Sequence, residues 1–194
     1  MEQRGEKYNE IRYWRFICFL VKYICLDNEE EEKMKVLKSK LSDFYKWVKG
    51  TELVELDDID VSEDPVRPEL TLGWRITKGR KIYGLKYDNE IEGIICIAYT
   101  NDVPTSVKEL DIMSELADIK NEKKIAIAYT VWSRKRGAGK EIMQKVLKMA
   151  KENKIERVIT LSPLTPMATH FHIRNGAKQI NINDYTQNFE YEIR

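Results

Sequence analysis

Ser162 and His172 stand ten positions apart, in the runs Thr160-Leu161-Ser162-Pro163 and Phe171-His172-Ile173-Arg174-Asn175-Gly176. A hydroxyl beside an imidazole is a pair able to steady a developing oxyanion and to carry a proton near neutral pH. Each residue also has a plainer reading. Ser-Pro after a strand starts many turns, and Asn-Gly closes many helices. Asn175 either orients His172 or ends the helix that carries it. The other histidine, His170, lies two residues earlier, which on a helix turns it about 200° away from His172. That divergence argues against a two-histidine metal site, and no carboxylate cluster completes one.

The second chemical feature is the run Arg134-Lys135-Arg136-Gly137-Ala138-Gly139-Lys140 between an apolar strand pattern and an amphipathic helix. Glycines there let backbone N–H groups approach an anion closely, and the helix directs its positive end to the same point. The basic side chains add charge. The spacing is neither that of a Walker loop nor G-x-G-x-x-G. The plainer alternative is a glycine-containing helix start beside a basic surface.

The elements that must position these residues follow from periodicity. Ile11, Trp14, Cys18, Val21 and Cys25, then Met34, Leu37, Leu41, Phe44 and Val48, form two apolar stripes. They predict a helical hairpin over residues 1–50, which also offers a surface for homo-oligomerisation. Residues 51–72 read as an acidic connector holding Pro65 and Pro68. Residues 73–194 then alternate strand and helix patterns: a hairpin turning at Asp88-Asn89, a helix capped by Thr105 or Ser106, and a strand over "KKIAIAYTVWS". A helix over "GAGKEIMQKVLKMAKENK", a strand "RVITLS", a short helix opening at Pro166 and a closing strand "FEYEI" complete the series. The order predicts a mixed α/β sheet.

Composition narrows the function classes. Charged residues make up 34% of the chain but cancel to a net +1, so no global field points to nucleic acid or an anionic membrane. Cys18, Cys25 and Cys96 have no zinc spacing and are too few for a disulfide scaffold, which suits reduced, buried thiols. The run "WRFICFLVKYICL" is too short and too charged to span a bilayer and lacks a cleavage site. The expectation is a soluble, cytoplasmic protein.

The loop Arg134-Lys135-Arg136-Gly137-Ala138-Gly139 resembles the R/Q-x-x-G-x-G/A signature of the GNAT acyltransferase fold, and the surrounding order of elements is similar to that fold. The resemblance implies a mixed, mostly antiparallel sheet splayed at an acyl-CoA site. The strand over residues 126–133 would part from that over 158–161. Residues 134–140 would then hold the pyrophosphate of coenzyme A. Backbone groups near Tyr129, Thr130 and Val131 would meet the acyl-pantetheine, and His172 would take the place of the tyrosine acid of such acetyltransferases.

A narrower likeness is carried by "TLSP" and "FHIRNGA". Together they resemble the two signature stretches of malonyl-CoA decarboxylases, and "IAYTNDVPTSVKEL" also looks like a segment of that family. The likeness covers roughly residues 84–194. It implies that Ser162 and His172, with Asn175, act on an acyl thioester, malonyl-CoA or acetyl-CoA, without a metal. In this chain Ser and His stand closer together than in those decarboxylases, the glycine loop is shorter, and the N-terminal helical part is smaller. The alternative within the same fold is an N-acetyltransferase moving acetyl from acetyl-CoA to an amine of a small molecule, protein or nucleic acid. Its base would be Glu90, Glu92 or an acid of the connector. A third reading is a binding protein that keeps the fold and uses the hairpin to hold a partner; a broken phosphate loop would mark it, and this one is intact.

Overall fold

The computed structural model describes residues 37–39 and 50–193. The chain divides into two units, Met1–Gly50 and Thr51–Arg194. The helical hairpin expected over 1–50 lies outside the described residues, apart from Leu37, Lys38 and Ser39, which are helical. The second unit carries both chemical features.

Its centre is an eight-stranded sheet in the order β1-β2-β3-β4-β5-β8-β6, with β7 also on β8. The strands are β1 (Glu52–Leu56), β2 (Arg80–Tyr87), β3 (Glu90–Thr100), β4 (Ile125–Ser133), β5 (Arg157–Thr160), β6 (Ser162–Pro163), β7 (Lys178–Ile182) and β8 (Thr186–Tyr191). Every pairing is antiparallel except β4 with β5. Four α-helices accompany it among the described residues: α1 (Leu72–Arg75), α2 (Val107–Ile119), α3 (Ala138–Glu152) and α4 (Pro166–Arg174).

The near-continuous apolar run of β3 follows from burial on both faces. Ile95 and Ile97 pack with Ile142, Met143 and Val146 of α3, while Ile94 and Cys96 pack on the opposite side with Leu110 of α2. The β2–β3 hairpin turns at Asp88 and Asn89 as expected, with Asp88 in the left-handed region. Ser106, not Thr105, caps α2 by accepting from Glu109 N–H. Along α3 Leu147 is partly buried, and Met143 takes the deeper place. Cys96 is a buried free thiol; Cys18 and Cys25 lie outside the described residues.

Residues 51–72 do not read in the structure as they do in the sequence. β1 pairs with β2, so Leu53, Val54 and Leu56 gain cover while Glu52 and Glu55 stay exposed. Beyond a 3-10 turn at Val61–Glu63, Asp64 and Arg67 are buried, and Arg75 of α1 is buried with them.

One irregularity makes room for a site. Cys96 pairs with Thr130 and Ile97 with Ala128, so Tyr129 is an extra residue in β4. Such a bulge bends its strand and strengthens the local twist. The parallel pairing of β4 with β5 ends at Ala128 and Thr160, followed by one bond from Leu161 N–H to the Ala128 carbonyl. Beyond that point β4 stays with β3, while the next residues of the other strand join β8 through Ser162 and Gln187. The two strands therefore part next to Ser162. No helix among the described residues is long and apolar enough to cross a membrane.

Candidate active site

The parting strands and helices α3 and α4 enclose a cleft of about 240 Å³. Tyr129, Thr130, Val131, Gly139, Ser162 and His172 are all among its lining residues. Local chemistry accounts for the placement of His172. Thr165 caps α4 by accepting from Ala168 N–H, and Pro166 occupies the first turn. Two turns later His172 faces inward while His170 is exposed. The imidazole stacks on Phe189 at 4.9 Å and meets Phe171 and Tyr191 edge-on.

Ser162 Oγ lies 2.8 Å from His172 Nε2, and Tyr191 Oη lies 2.9 Å from Nδ1. Ser162 donates its proton to Thr160 Oγ1 at 3.0 Å, and Thr160 Oγ1 also accepts from Phe189 N–H at 3.2 Å. A hydroxyl has one proton to give. With that proton on Thr160, the bond between Ser162 and His172 must be donated by Nε2–H, which leaves Nδ1 to accept from Tyr191. The resting chain runs Tyr191 to His172 to Ser162 to Thr160. It presents a neutral imidazole with its proton toward Ser162, an arrangement suited to giving a proton rather than to stripping one from the serine.

Burial pushes the His172 pKa down to about 4. The unfolded chain, with an ordinary imidazole, binds that proton near 6.5. Between about pH 6.5 and 4 the unfolded state therefore binds more protons, and stability falls as pH falls through that window. The full difference corresponds to at most about 3 kcal/mol. Urea unfolding at pH 7.5 and pH 5.0 is expected to show about 2 kcal/mol of this loss, and His172→Gln to flatten it. An equal loss in both proteins would place the acid sensitivity elsewhere.

Asn175 sits at the end of α4, where its Nδ2 donates to the Phe171 carbonyl at 2.8 Å. The residue that meets Nδ1 of His172 is Tyr191. Sequence reasoning missed Tyr191 because an aromatic residue in a closing strand looks like any other core side chain. Thr130 Oγ1 is engaged by Asp64 at 2.9 Å and the Tyr129 carbonyl by Arg67 Nε at 2.9 Å.

The glycine loop adjoins the same cleft. Gly137 begins α3 with φ +91°, a conformation that glycine adopts without steric cost. Neither Gly137 N–H nor Gly139 N–H has a hydrogen-bond partner among the described residues. A side chain at Gly139 would begin 3.4 Å from the Phe171 ring, so glycine keeps this end of the cleft open. Two of the basic residues are not free for a ligand. Arg134 pairs with Glu63 at 2.7 Å, and Lys135 with Glu92 at 2.7 Å and Glu90 at 3.6 Å. Arg136 and Lys140 remain exposed. The donor set of unpaired N–H groups at a helix start, with two exposed cations, suits a diphosphate. Among the described residues no group of three or more His, Cys, Asp or Glu is placed to hold a metal ion.

No protein-family model and no curated protein sequence matches the chain. Solved structures do. Malonyl-CoA decarboxylase from Agrobacterium vitis aligns over 74% of this chain and 41% of its own, at 14% identity and a TM-score of 0.50. The corresponding figures for the enzyme from Cupriavidus metallidurans are 68%, 36%, 20% and 0.45. A Bacillus subtilis acetyltransferase in complex with CoA aligns over 72% of this chain and 95% of its own, at 7% identity and 0.49. The chain thus spans about two-fifths of the length of the A. vitis decarboxylase and shares with it a GNAT-like fold.

Proposed function

We propose that this chain is an acyl-CoA enzyme of the malonyl-CoA decarboxylase type, acting on the thioester through Ser162 and His172. The observation that carries the reading is the 2.8 Å contact between Ser162 Oγ and His172 Nε2 inside a cleft that also reaches the glycine loop. In the proposed reaction the carbon–carbon bond to the carboxylate breaks, and carbon dioxide leaves. The bonding pair passes into the thioester as an enolate, and the α-carbon then takes up one proton to give acetyl-CoA. Ser162 and the Nε2–H of His172 would steady the enolate oxygen. His172 would pass its Nε2 proton to the α-carbon and take a replacement there from solvent, while the Tyr191 hydroxyl stays protonated on Nδ1 and holds the ring's orientation. Coenzyme A would lie with its pyrophosphate on the Gly137 and Gly139 N–H groups, beside Arg136 and Lys140.

Transfer to an amine asks for a base beside the acceptor. Among the described residues lining the cleft there is no carboxylate. Glu90 and Glu92 stand with Lys135 at the glycine loop, and Asp64 is held by Arg75. The test is to incubate the protein with malonyl-CoA, and separately with acetyl-CoA and a panel of amines, and follow products by mass spectrometry. Acetyl-CoA formed from malonyl-CoA and lost on Ser162→Ala is the expected result. Amine acetylation that survives Ser162→Ala overturns the reading.

A further inference from the structure

Where β4 and β5 part, the gap is bridged by a side chain. Arg67 donates from Nε to the Tyr129 carbonyl at 2.9 Å and from Nη2 to the Leu161 carbonyl at 2.8 Å. Leu161 immediately precedes Ser162, and Tyr129 is the bulge residue of β4. Arg67 is only 7% exposed, yet among the described residues it forms no close ion pair, and Glu69 and Asp64 act on its charge only at longer range. The buried acid three residues before it, Asp64, is spent on Arg75 at 2.8 Å, with both side chains fully buried. The buried layer beneath β4 therefore holds two guanidinium groups against one carboxylate. A buried charge without a counter-ion is costly, and two carbonyl oxygens repay only part of that.

The remaining donors are available. Nη1 makes no hydrogen bond among the described residues, and it is not among the buried, unpaired atoms, so it keeps contact with solvent. Val66, the preceding residue, lines the same cleft as Ser162 and His172. A guanidinium fixed at two points, on the carbonyl of the cleft residue Tyr129 and on that of Leu161 next to Ser162, is a ready partner for an anion of planar geometry.

We propose that Arg67 is the specificity-determining residue for the acyl group and binds the free carboxylate of an acyl thioester. The proposal rests on the acyl-thioester reading of Ser162 and His172 and adds what that pair cannot supply, a reason to prefer a charged acyl chain. Because Nε and Nη2 are pinned to two strands, the guanidinium cannot follow a rotating carboxylate. It would hold that group in one orientation relative to the thioester, which loss of carbon dioxide requires.

The test compares malonyl-CoA with acetoacetyl-CoA, a neutral mimic that places a methyl group where malonate has an oxygen. Equilibrium binding is measured by titration calorimetry in a His172→Asn background, so that malonyl-CoA persists. The protein retaining Arg67 is expected to favour malonyl-CoA by about 10- to 100-fold, and Arg67→Met to lower that preference to about onefold. Equal binding of both thioesters by the Arg67 protein overturns the proposal without any substitution at that position. So does a loss of both affinities by the same factor in Arg67→Met, which would mark a purely structural residue. Should Arg67→Met fail to fold, Arg67→Lys with a preserved preference overturns it too, because an ammonium cannot span both carbonyls and grip a carboxylate from two sides. Failure of either thioester to bind removes the acyl-CoA reading itself, whereas equal binding removes only the role of Arg67.

Discussion

His172→Gln is expected to lower kcat/KM for malonyl-CoA by about 10²- to 10⁴-fold, the range for removing a positioned proton donor. Affinity for the unreacted thioester should stay within about threefold, because the glycine loop and the cleft walls are untouched. Glutamine preserves a donor near Ser162 and most of the volume against Phe189, so the loss isolates proton transfer from packing. Tyr191→Phe should act less strongly and differently. It removes the hydroxyl 2.9 Å from Nδ1 and thereby the constraint that keeps the proton on Nε2. Its rate loss should be accompanied by an altered pH profile rather than by a changed Michaelis constant. Because burial holds the imidazole neutral down to about pH 4, the acid limb of kcat/KM in the native protein belongs well below 6.5. Retention of more than a tenth of the native kcat/KM by His172→Gln would remove His172 from the chemistry.

The site was legible where its parts are local in sequence. Strand, Ser-Pro turn, short helix and histidine lie within residues 157–174, so the order of elements, Pro166 at the helix start and the likeness of "TLSP" and "FHIRNGA" to a pair of family signatures were enough to consider Ser162 and His172 together. The glycine loop is local in the same way. Tyr191 is not: it reaches His172 only because β8 pairs with β5 at Val158 and with β6 at Ser162. β7 escaped notice because its residues Lys178–Ile182 are mostly exposed and show no clean alternation. The acidic stretch hid the most. Asp64, Arg67 and Arg75 are charged residues of kinds that are almost never fully buried unless paired, so a run containing them reads as solvated. Only the fold reveals that Thr130, Cys96 and the carbonyls of β4 await them.

That buried network supplies the largest expected change in stability. Asp64 takes Arg75 at 2.8 Å, Thr130 Oγ1 at 2.9 Å, Val66 N–H at 2.8 Å and Arg67 N–H at 3.2 Å. Arg75 in turn donates to the carbonyls of Arg67 and Leu70 and to Cys96 Sγ at 3.3 Å. Asp64→Ala leaves a fully buried guanidinium without its carboxylate, a change that costs about 3–5 kcal/mol. For a unit of this size the midpoint of thermal unfolding should drop by about 8–15 °C. The exposed pair of Arg134 with Glu63 is just as short, 2.7 Å, but its side chains are 42% and 40% exposed. Glu63→Gln should therefore shift the midpoint by no more than about 3 °C, since exposed pairs contribute about 0–1 kcal/mol. Equal shifts would mean that contact distance, not burial, sets the energy. Removing both buried charges in Asp64→Ala/Arg75→Met should do less harm than Asp64→Ala alone, because no ion is then stranded. The single variant should also lose selectivity, because Asp64 holds the backbone of Val66 and Arg67 against β4. Without it the guanidinium between Tyr129 and Leu161 loses its support, so, on the role proposed for Arg67, the stability of this layer and the choice of acyl group would depend on the same carboxylate.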